Sequence, residues 1–110
     1  MWQKGYAFVL QIYKMTESFP KSEIFGLTSQ IRRSAVSIVA NIVEGYKRKS
    51  KLEKLRFLNI SQSSLEETRF YLILANDLKY HDTKELLNSI EEISKMLNSY
   101  CNKIISSNIK

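Results

Sequence analysis

Residues 29–48 read SQIRRSAVSIVANIVEGYKR, an apolar run crossed by one narrow polar line. At about 100° per residue, Gln30, Arg33, Ser37, Asn41 and Glu44 fall along one side of a helix, and Ile31, Ala35, Ile38, Val39, Ile42 and Val43 share a broad apolar sector. A surface helix needs an apolar stripe of roughly 100°, and this one is apolar over nearly twice that arc. Such a helix is built to be surrounded, and its polar line must meet other protein groups or carry a task.

The remaining helices follow from periodicity and caps. Trp2, Tyr6, Val9, Tyr13 and Thr16 recur at spacings of four and three, with Phe8 and Ile12 widening that face, so a first helix is expected from Trp2 to about Ser18, ended by Pro20. Lys21 to Leu27 reads as a connector with at most one helical turn, and Thr28 is the expected N-cap of the second helix. Ser50-Lys51-Leu52-Glu53 has the form of a capping box, which starts a third helix running to about Leu78. Its central stripe is Leu58, Leu65 and Leu72, flanked by Phe57, Thr68 and Ala75. Asp82 and Glu85 repeat the cap logic for a fourth helix, with Leu86, Ile90, Ile93, Leu97, Tyr100 and Ile104 inward and Glu91, Glu92, Lys95, Asn98 and Asn102 outward.

Four helices of roughly 17 to 28 residues with short connections predict an all-α fold, an antiparallel up-down-up-down four-helix bundle packed near about 20°. The whole chain, residues 1–110, is expected to be a single domain. One Pro and three Gly exclude a turn-rich β fold. The single Cys101 excludes an internal disulfide, and its apolar helical face predicts a buried free thiol, as suits a reducing cytoplasm. No stretch reaches the roughly 20 apolar residues that cross a bilayer, so a cytoplasmic protein without a membrane partner is expected.

Two features exceed what a lone bundle requires. Phe70, Tyr71, Leu72, Ile73, Leu74 and Ala75 are consecutive, which makes that part of the third helix apolar all round. Phe70 and Ile73 point away from the leucine stripe and are expected either at a contact between subunits of a homo-oligomer or beneath the long first loop or the start of the fourth helix. The formal net charge of +6 is concentrated in Lys47, Arg48, Lys49, Lys51, Lys54 and Arg56, against the one acid Glu53 within that span. A compact cationic field of this kind is expected either to bind RNA or DNA backbone or to remain solvated surface.

The polar line of the second helix is expected to face Ser64, Glu67 and Tyr71 of the third, with Arg33 as an ionic partner for a carboxylate. It serves either as a network that fixes helix register or as a ligand site. No enzyme is indicated. The only histidine, His81, follows Leu78 at the spacing where a di-iron bundle needs Glu, and no Gly-rich phosphate loop or nucleophile–histidine pair is present, so neither metal nor cofactor is expected.

The run Phe19-Pro20-Lys21-Ser22-Glu23, then Gly26-Leu27, Gln30-Ile31-Arg32-Arg33, Ser37, Asn41-Ile42, Glu44-Gly45, Ser64-Leu65 and Glu67 resembles the four-helix-bundle family of 23S rRNA intervening-sequence proteins, essentially from Trp2 onward. Ser61 and Ser63 depart from it, standing where the family usually has Ala and Gly, and a looser helix contact is expected there. The resemblance implies bacterial bundles that associate into rings, commonly homopentamers, encoded within insertions in ribosomal RNA genes. It also implies a relation to the accessory proteins of diversity-generating retroelements, basic pentamers that work with a reverse transcriptase and nucleic acid. The expected function is therefore a non-enzymatic oligomer that binds RNA or DNA backbone through the basic corner. The alternative is an oligomeric protein–protein adaptor without intrinsic nucleic-acid binding.

Overall fold

The computed structural model describes residues 1–107 and contains, among them, four α-helices and no strand. These are α1 (Trp2–Thr16), α2 (Leu27–Lys47), α3 (Lys51–Asp77) and α4 (Lys84–Ser106), with a single 3₁₀ turn at Lys21–Glu23. Across α2 and α3, Gly45 lies against Leu58, Ser37 against Ser64, Ser34 against Thr68 and Arg33 against Glu67. Residue numbers in contact thus rise on one helix as they fall on the other. The same holds for α3 with α4, through Lys51–Ser107, Gln62–Asn98 and Arg69–Glu91, and for α1 with α2, through Gly5–Val39 and Thr16–Arg32.

The centre is aliphatic. Ile31, Ala35, Ile38 and Ile42 of α2, Leu58, Leu65 and Leu72 of α3, and Ile90, Ile93 and Leu97 of α4 are buried, as their periodicity predicts. Helix α1 turns differently from the expected face. Gly5, Phe8, Ile12 and Met15 face inward, whereas Trp2, Tyr6 and Tyr13 stay 43%, 54% and 42% exposed. Both stripes have helical spacing, and Gly5 decides between them. A Cβ there would come 2.8 Å from Val39 Cγ2, so the side carrying only hydrogen is the one that α1 presses against α2. The aromatic stripe is displaced to the flank, where the Arg32 guanidinium lies 4.6 Å from the Tyr13 ring centre.

The caps divide between those expected and those replaced. Ser50 Oγ accepts from the Glu53 amide at 3.1 Å, but the Glu53 carboxylate turns to Arg56 instead of closing the box. Thr28 is not the cap of α2. The Glu23 carboxylate, delivered by the 3₁₀ turn, accepts from the Leu27 amide at 3.0 Å, and the helix starts two residues earlier than expected, with Gly26 at the N-cap position. Thr28 then falls inside the first turn, where its buried Oγ1 finds no partner. A Cβ at Gly26 would meet that same carboxylate oxygen at 2.5 Å, so glycine there keeps room for the cap. At α4 the N-cap is Thr83, whose hydroxyl donates to the Leu72 carbonyl at 2.8 Å, and Asp82 accepts from the Lys84 amide at 3.1 Å.

On α4, Glu92 pairs with Lys4 at 2.8 Å, Asn98 accepts from Gln62 at 2.8 Å and Glu91 pairs with Arg69. These residues, expected to be ordinary solvent surface, tie the edges of α4 to α1 and α3.

Hydrogen bonds from Leu27 and then Tyr80 hold the Glu23 carboxyl below its ordinary value of 4.5. A depressed carboxyl stabilises the fold above its unfolded value and loses that contribution as pH falls through the folded one. Melts of wild type and Glu23→Gln should therefore differ at about pH 7 and converge on acidification below about pH 4.5; a pH-independent gap would refute this. Lys79 follows α3 at φ 62°, a left-handed conformation that costs a side-chain-bearing residue. Lys79→Gly should raise stability by about 1 kcal/mol in urea titration. Cys101 is buried, and desolvation pushes its thiol up, so a disulfide exchange reagent should label it only at the rate of unfolding.

Candidate nucleic-acid interface

The end of the molecule where α2 stops and α3 starts gathers the six cations singled out in the sequence. Their side chains do different jobs. Lys54 Nζ donates to the Gly45 and Tyr46 carbonyls at 3.3 and 3.1 Å, capping α2 from the next helix. Lys51 Nζ donates to the Ile105 and Ser107 carbonyls at 2.7 and 3.2 Å and closes α4 in the same way. An ammonium has three donors, so each lysine keeps one for an external oxygen.

Arg48 pairs with Glu44 at 2.7 Å and lies 4.5 Å from the Phe57 ring centre. Arg56 approaches the same ring at 5.8 Å and pairs with Glu53 at 3.4 Å. The two guanidiniums are thereby spread over one half-buried aromatic ring at the mouth of the turn. Lys47 and Lys49 are exposed and have no hydrogen-bonded or ionic partner among the described residues. Of the six, these two are the cations that the fold leaves uncommitted.

Residues absent from the sequence-based set join this end. The last turns of α4 bring Lys95, Tyr100 and Lys103 beside the C-terminus of α2, where the Tyr46 and Tyr100 rings meet edge to face with centroids 5.4 Å apart. Lys95, Ser99 and Lys103 recur every four residues, so their common line is legible in the sequence. Only the tertiary arrangement places that line at the basic end.

The polar line of α2 does meet α3. Ser37 Oγ and Ser64 Oγ lie 2.8 Å apart, Asn41 Nδ2 donates to the Ser37 carbonyl and hydroxyl at 2.9 and 3.1 Å, and Arg33 reaches Glu67 at 3.0 Å while also donating to Gln30. Tyr71 donates to the same Glu67 carboxylate at 3.3 Å. Glu44 turns to Arg48 instead. The donors and acceptors of the stripe are largely consumed within the α2–α3 pair.

Beneath it runs a second polar set that periodicity alone did not reveal. Ser34, Ser61 and Thr68 are completely buried. Thr68 Oγ1 is 2.7 Å from Ser34 Oγ and 2.8 Å from the Ser64 carbonyl, and Ser61 Oγ donates to the Ile38 carbonyl across the interface at 2.7 Å. Ser61 therefore bonds α3 to α2 instead of loosening their contact, and Ser63 is exposed.

Apolar side chains remain exposed at many positions, Leu10, Ile24, Phe25, Leu52, Leu78 and Ile105 among them. Two groups lie along helices: Trp2, Tyr6, Tyr13, Val36 and Val43 on α1 and α2, and Ile60, Phe70 and Ile73 on α3, the last two 60% and 45% exposed. Neither the first loop nor α4 covers Phe70 or Ile73. Among the described residues no group of three or more His, Cys, Asp or Glu is placed to hold a metal, and no helix is long and apolar enough to cross a membrane.

No match was found among curated proteins. A crystal structure of a protein of unknown function from the S23 ribosomal protein family of Bacteroides thetaiotaomicron VPI-5482 has the same fold, with a TM-score of 0.81 and 29% sequence identity over 91% of this chain and 96% of that one. The family model for the 23S rRNA-intervening sequence protein matches residues 1–99, and with that extent of agreement the chain belongs to this family.

Proposed function

We propose that this protein is a non-enzymatic subunit of a homo-oligomeric ring that binds RNA or DNA backbone through its basic end. In this reading the bundle is up-down-up-down and antiparallel, as the opposed numbering of the α1–α2, α2–α3 and α3–α4 pairs supports, and the ring is a pentamer, as the family resemblance implies. The protein works in the bacterial cytoplasm. The observation that carries the proposal is the uncommitted pair Lys47 and Lys49, set among four further cations whose positions are fixed by helix caps and by Phe57.

Ring closure is supported by the two separate apolar flanks. A ring is built from a head-to-tail contact, which needs two different complementary surfaces on each subunit. The flank on α1–α2 and the outer side of α3 with Phe70 and Ile73 supply two. If each subunit neutralises one or two phosphates, a five-membered ring makes on the order of 5 to 10 contacts, enough for useful affinity with little sequence preference. The internal consumption of the polar stripe favours a register-fixing role for Gln30, Arg33, Ser37, Asn41, Glu44, Ser64 and Glu67 over a ligand site.

Titration of labelled RNA should show affinity falling about 10³- to 10⁵-fold between roughly 50 and 200 mM salt. Lys47→Glu with Lys49→Glu leaves every cap in place and should weaken binding by at least about tenfold at low salt. Equal affinity of this variant and wild type would reject the proposal. A partner protein bound independently of salt by a chain with no RNA affinity would establish the adaptor instead. Light scattering tests the ring: Phe70→Lys should shift the assembly toward monomer, and a wild type that is monomeric at all concentrations would exclude it.

A further inference from the structure

Two adjoining clefts open at the basic end, one on each side of Tyr100 and Lys103. The larger, ≈ 410 Å³, is lined by Tyr46, Lys95, Met96, Ser99, Tyr100 and Lys103 together with Met1. The smaller, ≈ 230 Å³, is bounded by Lys51, Lys54, Tyr100, Lys103, Ile104 and Ser107. The first has the volume of an ordinary small-ligand site, which runs from roughly 300 to 1,000 Å³. Its floor is the edge-to-face tyrosine pair, with Tyr46 39% exposed. Lys95 and Lys103 stand at its rim without hydrogen-bonded or ionic partners among the described residues, and Lys51 and Lys54 each retain one free donor in the second cleft.

Aromatic faces alternating with cations are what single-stranded nucleic acid requires. A base freed from its stack finds a new π surface, and its flanking phosphates find ammonium groups. A duplex has no free base to offer. Burial raises both phenols above the ordinary tyrosine value, so they stay neutral beside phosphate and keep their hydroxyl donors.

We infer that the tyrosine-floored cleft is a base-stacking subsite for single-stranded RNA or DNA, with the base against Tyr46 and Tyr100 and consecutive phosphates on Lys95, Lys103 and the Lys51–Lys54 pair. This rests on the nucleic-acid reading above and narrows it: the cations supply affinity for any backbone, and the tyrosines select unpaired strands. Stacking makes the preference one for strandedness and only weakly one for sequence.

The test compares labelled oligouridine with an RNA duplex of equal length in fluorescence anisotropy at one salt concentration. Wild type should favour the single strand. Tyr100→Leu and Tyr46→Leu keep apolar bulk at the helix contact and should weaken single-strand binding about 5- to 150-fold, the range for loss of one stacked base, with little change for the duplex. Lys95→Gln with Lys103→Gln alters exposed positions that have no hydrogen-bonded or ionic partner among the described residues, so its loss of single-strand affinity reads the same subsite with the helix packing kept. Equal affinities for single strand and duplex, or folded tyrosine variants that bind oligouridine like wild type, would overturn the subsite while leaving backbone binding intact. Absence of binding to either probe would overturn both.

Discussion

The close seam between α2 and α3 is the constraint on which the rest of the molecule depends. Ser34, Ser37, Ser61, Ser64 and Thr68 give the two helices short side chains where they meet, and Gly45 extends the seam to its end, where an added Cβ would lie 3.2 Å from Leu58. Apolar alanines would permit the same approach. Hydroxyls add direction, because each buried one must find an acceptor, and a buried polar group left unpaired costs roughly 1–3 kcal/mol. A slip of either helix by one turn would break the Ser61–Ile38, Ser34–Thr68 and Ser37–Ser64 contacts together. The seam therefore sets register as well as distance.

With that register fixed, the outer features take their places. The turn from α2 to α3 is short, so the C-terminus of one helix and the N-terminus of the next share a corner. Lys54 reaches back to carbonyls that α2 leaves open. Lys51 does the same for α4, so two of the cations that give this end its charge also hold the helix ends in position. Part of the basic end is thus structural. Lys47, Lys49, Lys95 and Lys103 have no hydrogen-bonded or ionic partner among the described residues, and Lys51 and Lys54 each retain one donor.

The same packing accounts for the apolar surplus. Helix α1 spends its glycine side on α2 and leaves its aromatics outside. Helix α3 spends its leucine stripe and its hydroxyls inward, which leaves Phe70 and Ile73 with no place in a bundle of four. The chain thus carries its cations at one end and uncovered apolar side chains along its flanks.

Much of this was legible in the residues. Helix count, the Ser50 cap, the aliphatic centre and the meeting of the α2 polar line with Ser64, Glu67 and Tyr71 all follow from spacing, because helical geometry turns sequence intervals into faces. Spacing alone did not choose between the two stripes of α1, since both have the right period and the choice rests on a contact with Val39 across the molecule. Nor did it replace Thr28 by Glu23 as the cap of α2, because the 3₁₀ turn that delivers the carboxylate is held from afar by Tyr80. What the sequence determined by itself was the set of helices and the sign of the charge near residue 50, both local properties of the chain. That Lys51 is consumed as a cap of α4, and that Tyr100, Lys95 and Lys103 of α4 come beside Tyr46, was decided only by tertiary structure, since those partners lie some 50 residues apart and meet only when the hydroxyl seam has set the helices in register.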